Sequence, residues 1–170
     1  MSKTIGSAFE DAYPELLRLA HARLSREQAA ISTGTLAHEL YLDLHDKDQL
    51  RFGRREEFLA YASRAMRSLL VDMARERLAQ KRHAECVPLT LGHDIGDVGG
   101  GTPEQLLAIN QALERLGQID ERLLRVAEMR SVMGMEVTEI AIALRVSEPT
   151  VKRDWQRAKA FLLQTLGRAE

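Results

Sequence analysis

The chain has 170 residues, a formal net charge of −1, 45% hydrophobic and only 5% aromatic residues, and one cysteine. That length accommodates one domain or two small ones, with enough apolar residues for a core. The lone Cys86 excludes an internal disulfide, no apolar run is long enough to span a membrane, and MSKTIGSAFEDAYPELL lacks a signal-peptide pattern, so a cytoplasmic protein is expected.

Leu, Ala, Arg and Glu dominate and Pro is scarce, which favours an all-α fold. The spacing predicts a first helix over 8–24, with Phe9, Tyr13, Leu16, Leu17, Ala20 and Leu24 inward and Pro14 near its first turn. Residues 25–34 are small and polar and read as a loop. A second helix is expected over 35–44, with Leu36, Leu40 and Leu44 on one side. His38 and His45 are a heptad apart, and His21 precedes them. No Cys or carboxylate pattern completes a metal site there, and none is predicted.

A long helix follows over 55–82. Phe58, Ala62, Ala65, Met66, Leu69 and Met73 form its apolar stripe. Arg64, Arg67, Val71 and Arg75, with Ser68 beside them, form a different, outward stripe that runs into Arg77, Lys81 and Arg82. Such a row is either a solvated surface or a track for a nucleic-acid backbone.

Charge is segregated along the chain. Residues 51–82 hold nine basic residues (Arg51, Arg54, Arg55, Arg64, Arg67, Arg75, Arg77, Lys81, Arg82) against four acidic (Glu56, Glu57, Asp72, Glu76). Residues 84–121 hold one basic (Arg115) against seven acidic (Glu85, Asp94, Asp97, Glu104, Glu114, Asp120, Glu121). From Arg145 onward six basic residues face three acidic ones. Basic, acidic, basic suggests two nucleic-acid-facing modules and an acidic connector.

The helical period stops over 84–102, where VPLTLGHDIGDVGGGTPEQ reads as a flexible linker. His83, Cys86 and His93 match no strong zinc spacing and lack a fourth ligand. Thr102 and Pro103 are suited to cap and start a helix carrying Leu106, Ile109, Leu113 and Leu116, which Gly117 is expected to end. A further helix over 120–133 places Leu123, Leu124, Ala127 and Met133 inward, and Gly134 stops it.

The last stretch, VTEIAIALRVSEPTVKRDWQRAKAFLL over 137–163, reads as two helices and a tight turn. Val137, Ile140, Ala141 and Leu144 share one face of the first. Arg145-Val146-Ser147 is the turn, Ser147 the N-cap, and Pro149 sits in the next first turn. Val151, Trp155, Ala158 and Leu162 form the apolar stripe of the last helix, with Trp155 read as core. Arg153, Gln156 and Arg157 lie opposite, flanked by Thr150 and Lys152. Arg and Gln can bond base edges; Lys and Thr can hold phosphates. This is a helix-turn-helix pattern, although an ordinary helix pair with a solvated face would look similar.

Taken together, these segments resemble a bacterial sigma-70-type RNA polymerase sigma factor of the extracytoplasmic-function (ECF) subfamily. The resemblance covers nearly the whole chain. Its most specific parts are FLAYASRAMRSLLVDMARERLAQKR at 58–82 and VTEIAIALRVSEPTVKRDWQRAKAFL at 137–162. It implies a sigma-2-like domain over 8–83 for core binding and −10 melting, a flexible acidic linker over 84–102, and a sigma-4-like domain over 103–167 for −35 reading. Leu36, Glu39, Leu40 and Asp43 would face or support the polymerase clamp. Arg64, Arg67, Ser68, Val71 and Arg75 would follow the melted strand, with Arg77, Lys81 and Arg82 on upstream phosphates. Thr150, Lys152, Arg153, Gln156 and Arg157 would meet the −35 element.

The implied partners are core RNA polymerase and promoter DNA, with an anti-sigma factor or a Ser/Thr kinase as candidate regulators. No cofactor and no enzymatic reaction are implied, and no nucleophile motif or phosphate-cradling loop is found in the sequence. The chain departs from the common pattern at 32–39, STGTLAHE, where Glu39 is the single carboxylate in place of an acidic run. In groups that resemble this one, phosphorylation has been proposed to supply such charge, and Ser32, Thr33 and Thr35 are the local hydroxyls. Two rival readings stay open: a stand-alone helix-turn-helix regulator, and a sigma-like interaction module that contacts no DNA.

Overall fold

A computed structural model describes residues 3–24, 33–46, 50–82 and 102–168. The described residues form an all-α structure. The helices are α1 (Ile5–Leu24), α2 (Thr33–His45), α3 (Arg55–Lys81), α4 (Pro103–Ile119), α5 (Glu121–Ala127), α6 (Val137–Leu144) and α7 (Glu148–Gly167), and a π-helical segment, Glu128–Val132, continues α5. Two short strands that the periodicity does not predict, β1 (Lys3–Thr4) and β2 (Arg51–Phe52), pair antiparallel in register Lys3 with Phe52. Among the described residues no helix is long and apolar enough to cross a membrane. Residues 84–101 of the expected linker, with His83, Cys86 and His93, lie outside the described residues, as does Ser32.

The N-terminal module is α1, α2 and α3 around an aromatic centre. Phe9 meets Tyr41 at 4.9 Å and Phe58 at 6.4 Å, both edge-on, and Phe52 meets Phe58 at 5.4 Å. Such edge-to-face pairs suit the ring quadrupoles. The first helix starts at Ile5, three residues early, so Pro14 lies in its interior and not in its first turn. Pro14 and Glu10 are both exposed, which leaves the Glu10 carbonyl that Pro14 cannot serve near water. Tyr13, expected inward, is an exposed residue leaning on Phe9.

The C-terminal module is α4 to α7. Thr102 caps α4 as expected: its hydroxyl accepts from Gln105 N–H at 3.2 Å, and the Gln105 side chain accepts from Thr102 N–H at 2.9 Å. Gly117 does not end α4, which runs on to Ile119. A Cβ at Gly117 would stand 2.6 Å from Cδ2 of Leu124, so glycine there permits the close approach of α4 and α5. Asp120 then caps α5, its carboxylate accepting from the Arg122 and Leu123 N–H groups. Gly134 takes φ 68° and turns the chain after the π-helical segment.

The two modules share a core. Helix α3 packs on α1 and α2 and also on α4, the π-helical segment and α6. Ile5, Phe9, Leu40, Phe58, Leu59 and Met66 belong to the same buried cluster as Leu106, Val126, Met129, Val132, Met133, Met135 and Ile140. Helix α3 is therefore buried along more of its circumference than one apolar stripe. Phe58, Ala62, Ala65 and Met66 are buried as expected, Leu69 and Met73 are partly so, and Leu59, Leu70, Val71 and Ala74 are buried as well. Val71 was expected on the outward stripe. It is 5% exposed and belongs to the buried cluster that also holds residues of the C-terminal module.

Candidate nucleic-acid interface

The turn between α6 and α7 sets the aim of the last helix. Arg145 takes the left-handed conformation, φ 56° and ψ 44°, a position where glycine is the usual residue. Its N–H bonds the Ala141 and Ile142 carbonyls, which closes α6. Ser147 caps α7: its Oγ accepts from Thr150 N–H at 3.4 Å and shares a hydrogen bond with Thr150 Oγ1 at 2.9 Å. Thr138 Oγ1 donates to the Glu148 carboxylate at 3.1 Å, linking the starts of the two helices.

Helix α7 divides its faces cleanly. Val151, Asp154, Ala158 and Leu162 are buried, and Trp155 is half-buried against both core clusters. Lys152, Arg153, Gln156 and Arg157 are exposed, and Thr150 is half-buried at the edge. The five residues expected to meet the −35 element lie on the solvent side of α7 or at its margin.

Asp154 was not singled out by the sequence. It is fully buried, and Arg122 forks onto it: Nε donates to Oδ2 at 2.6 Å and Nη2 to Oδ1 at 3.3 Å. This pair raises the Arg122 guanidinium above its ordinary value through the hydrogen bond and the charge of Asp154. The sequence does carry a signal for it, a lone carboxylate three residues after Val151 and four before Ala158, on the apolar stripe.

The second basic surface is placed differently. Ser68, Arg75 and Arg82 are exposed, and Arg75 reaches Asp72 at 3.6 Å. Arg77 is half-buried. The Lys81 backbone ends α3, but its side chain lies outside the described residues. Arg64 and Arg67 face the C-terminal module. Arg67 Nε lies 2.9 Å from Glu128 Oε1, and its Nη1 donates to Asn110 Oδ1 at 3.1 Å. Arg64 lies 3.8 Å from Glu128 and 4.0 Å from Glu121.

Glu128 is only 2% exposed. Burial pushes its carboxyl above the ordinary carboxylate range, against the pull of Arg67, Arg64 and Arg125. At the rim, Arg145 Nη2 donates to Glu57 Oε1 at 3.2 Å, and Arg55 meets Glu139 at 3.5 Å. The Arg145 hydrogen bond, with a second from Gly53 N–H, holds Glu57 below its usual range.

On α2, Glu39 and Asp43 are exposed, whereas Leu40 is fully buried and can support a surface but not touch a partner. The Leu36 side chain lies outside the described residues. Among the described residues no group of three His, Cys, Asp or Glu side chains could hold a metal ion.

A family model described as ECF sigma factor matches residues 2–168. No curated protein and no solved structure matches the chain.

Proposed function

The chain belongs to the ECF sigma factor family, and from that membership we propose that it binds core RNA polymerase in the cytoplasm and directs promoter-specific initiation. The observation that carries the reading is the exposed row Lys152, Arg153, Gln156 and Arg157, held outward by a buried opposite face. Arg153, Gln156 and Arg157 read base edges at the −35 element, and Thr150 and Lys152 hold phosphates. Arg64, Arg67, Ser68 and Arg75 follow the melted −10 strand, while Arg77, Lys81 and Arg82 hold upstream phosphates. Glu39 and Asp43 present carboxylates to the polymerase clamp, with Leu40 beneath them.

Such a factor makes and breaks no covalent bond. Its work is to position DNA on an enzyme that does. The acidic linker over 84–102 runs between the modules in this reading. Thr33 and Thr35 stand in the first turn of α2, where a phosphate would be favoured by the helix dipole, so a Ser/Thr kinase is the regulator that the sparse acidity of this segment suits.

The test is run-off transcription from pooled genomic fragments by purified core polymerase, with and without the protein. Discrete new transcripts that depend on the protein are expected. Their absence, also after kinase treatment, sinks the reading.

A further inference from the structure

We propose that the cleft between α3 and the α5–π-helical segment binds a small aromatic monocarboxylate.

The cleft has a volume of about 360 Å³, within the range of small-molecule sites. Residues of β2 and α3 wall one side, and residues of α5, the π-helical segment and α6 the other. Its apolar part is Phe52, Tyr61 and Met129, with Ala60 and Ala143 taking little of the space. Phe52 and Met129 are buried, and Tyr61 is half-buried. The Phe52 and Tyr61 ring centroids stand 5.6 Å apart, with the planes tilted by 51°. Two aromatic rings and a thioether suit a planar guest, through ring–ring and sulfur–ring contacts.

The polar part selects the charge of that guest. Glu57, Glu121 and Glu128 line the cleft together with Arg64 and Arg125. Glu57 is already engaged, accepting from Arg145 Nη2 at 3.2 Å and from Gly53 N–H at 3.0 Å. Glu128 is matched by Arg67, 2.9 Å away and not part of the lining. Arg64 and Arg125 against Glu121 remain, an excess of a single positive charge. Arg64 lies 3.8 Å from Glu128 and 4.0 Å from Glu121, beyond direct hydrogen bonding. Arg125 is exposed, and among the described residues its side chain makes no hydrogen bond or close ion pair. Its charge is felt at Glu128, so both guanidinium groups front the same end of the cleft.

Two guanidinium groups with unused donors, beside an apolar pocket, match a carboxylate carried on a ring. A dianionic phosphate would exceed the surplus charge and meet Glu121 and Glu128. An aliphatic acid would leave Phe52 and Tyr61 without a ring to pack on. Arg64 also belongs to the proposed strand contact. The test contains neither DNA nor polymerase, so its failure leaves the sigma reading standing.

The full chain is titrated by calorimetry with naphthylacetate and with the uncharged naphthylethanol. Arg125→Ala and Ala60→Leu are the variants, and neither residue belongs to the proposed DNA or polymerase contacts. Naphthylacetate should bind one molecule per chain. Arg125→Ala should weaken it at least about tenfold, and naphthylethanol should bind the wild type at least about tenfold more weakly. Ala60→Leu fills the cleft and should remove binding. Naphthylacetate should raise the melting temperature of the wild type and leave that of Ala60→Leu unmoved.

No binding to the wild type overturns the site, as does unchanged affinity in Arg125→Ala. Equal affinity for naphthylethanol overturns the selection of a carboxylate. If Ala60→Leu fails to fold, Arg125→Ala, at an exposed position, and the alcohol decide alone.

Discussion

Asp154, on the buried face of α7, receives two hydrogen bonds from Arg122, at 2.6 and 3.3 Å. The fork ties α7, the helix that carries Arg153 and Arg157, to α5. Asp154→Asn sets an amide NH2 against a guanidinium N–H and breaks the fork. Melting temperature and affinity for −35 duplex should fall together, with helix content retained. Arg122→Lys should do the same in milder form, since an ammonium cannot form the fork. An unchanged melting temperature in both variants would refute the positioning role.

In the proposed reading, the side chains on the exposed face of α7 divide by task. Arg153→Ala and Arg157→Ala should each cost about 1–3 kcal/mol at particular base pairs of the −35 element. Lys152→Ala should weaken binding more evenly and flatten its salt dependence. Affinities measured on a panel of single-base variants check this. Identical losses across the panel for all three variants would contradict the division.

The Glu128 carboxyl has its pKa raised by burial, while Arg67, Arg64 and Arg125 pull it down. The packed form therefore binds that proton more tightly than a form with Glu128 in water. The Glu128 contribution to its stability is greatest at low pH and declines as pH rises from about 4.5 through the raised value, by up to about 1.4 kcal/mol per pH unit. Glu57 acts oppositely: its lowered pKa stabilises the packed form above the usual carboxylate range and loses that effect in acid. Thermal unfolding of wild type and Glu128→Gln across this range isolates the Glu128 part. The two curves should diverge, with the Gln variant relatively more stable at higher pH. Parallel curves would exclude a titrating Glu128.

Gly117 and Leu124 should be energetically coupled. Alanine at 117 gains about 0.8–1 kcal/mol of helix propensity, but its Cβ would meet Leu124 Cδ2 at 2.6 Å. Overpacking of this kind costs about 1–3 kcal/mol, softened here because Leu124 is only half-buried. Gly117→Ala should be neutral or destabilising alone, and stabilising once Leu124 is Ala. A double-mutant cycle by chemical denaturation measures the coupling, and additive effects would deny the clash.

Local chemistry made much of the C-terminal module legible. Thr102, Ser147 and the stripe Val151–Trp155–Ala158–Leu162 each obey a short-range rule of capping or periodicity, and each lies where that rule puts it. Gly117 and Pro14 depart from the local rules for a common reason. Both are weak helix residues, and tertiary packing or an exposed face tolerates them inside a helix. Val71 and Arg67 were illegible in a deeper sense. Arg67 meets Asn110 and Glu128, more than forty positions later, Val71 joins a cluster that includes C-terminal residues, and no periodicity within α3 encodes either. Glu128 had only a faint mark, a carboxylate adjoining the inward Ala127 and four residues after Leu124.

The shared core around α3 also bears on how the molecule comes apart. Helix α3 carries one apolar surface for its own module and a second for the other, so neither module melts independently while they remain joined. Heating the packed protein should produce one cooperative transition, because losing either half uncovers the helix the other half leans on. Once the halves separate, each must stand on its own smaller core, and the single transition should divide into two. A calorimetric trace can therefore count the modules that are free, with no DNA or polymerase in the cell.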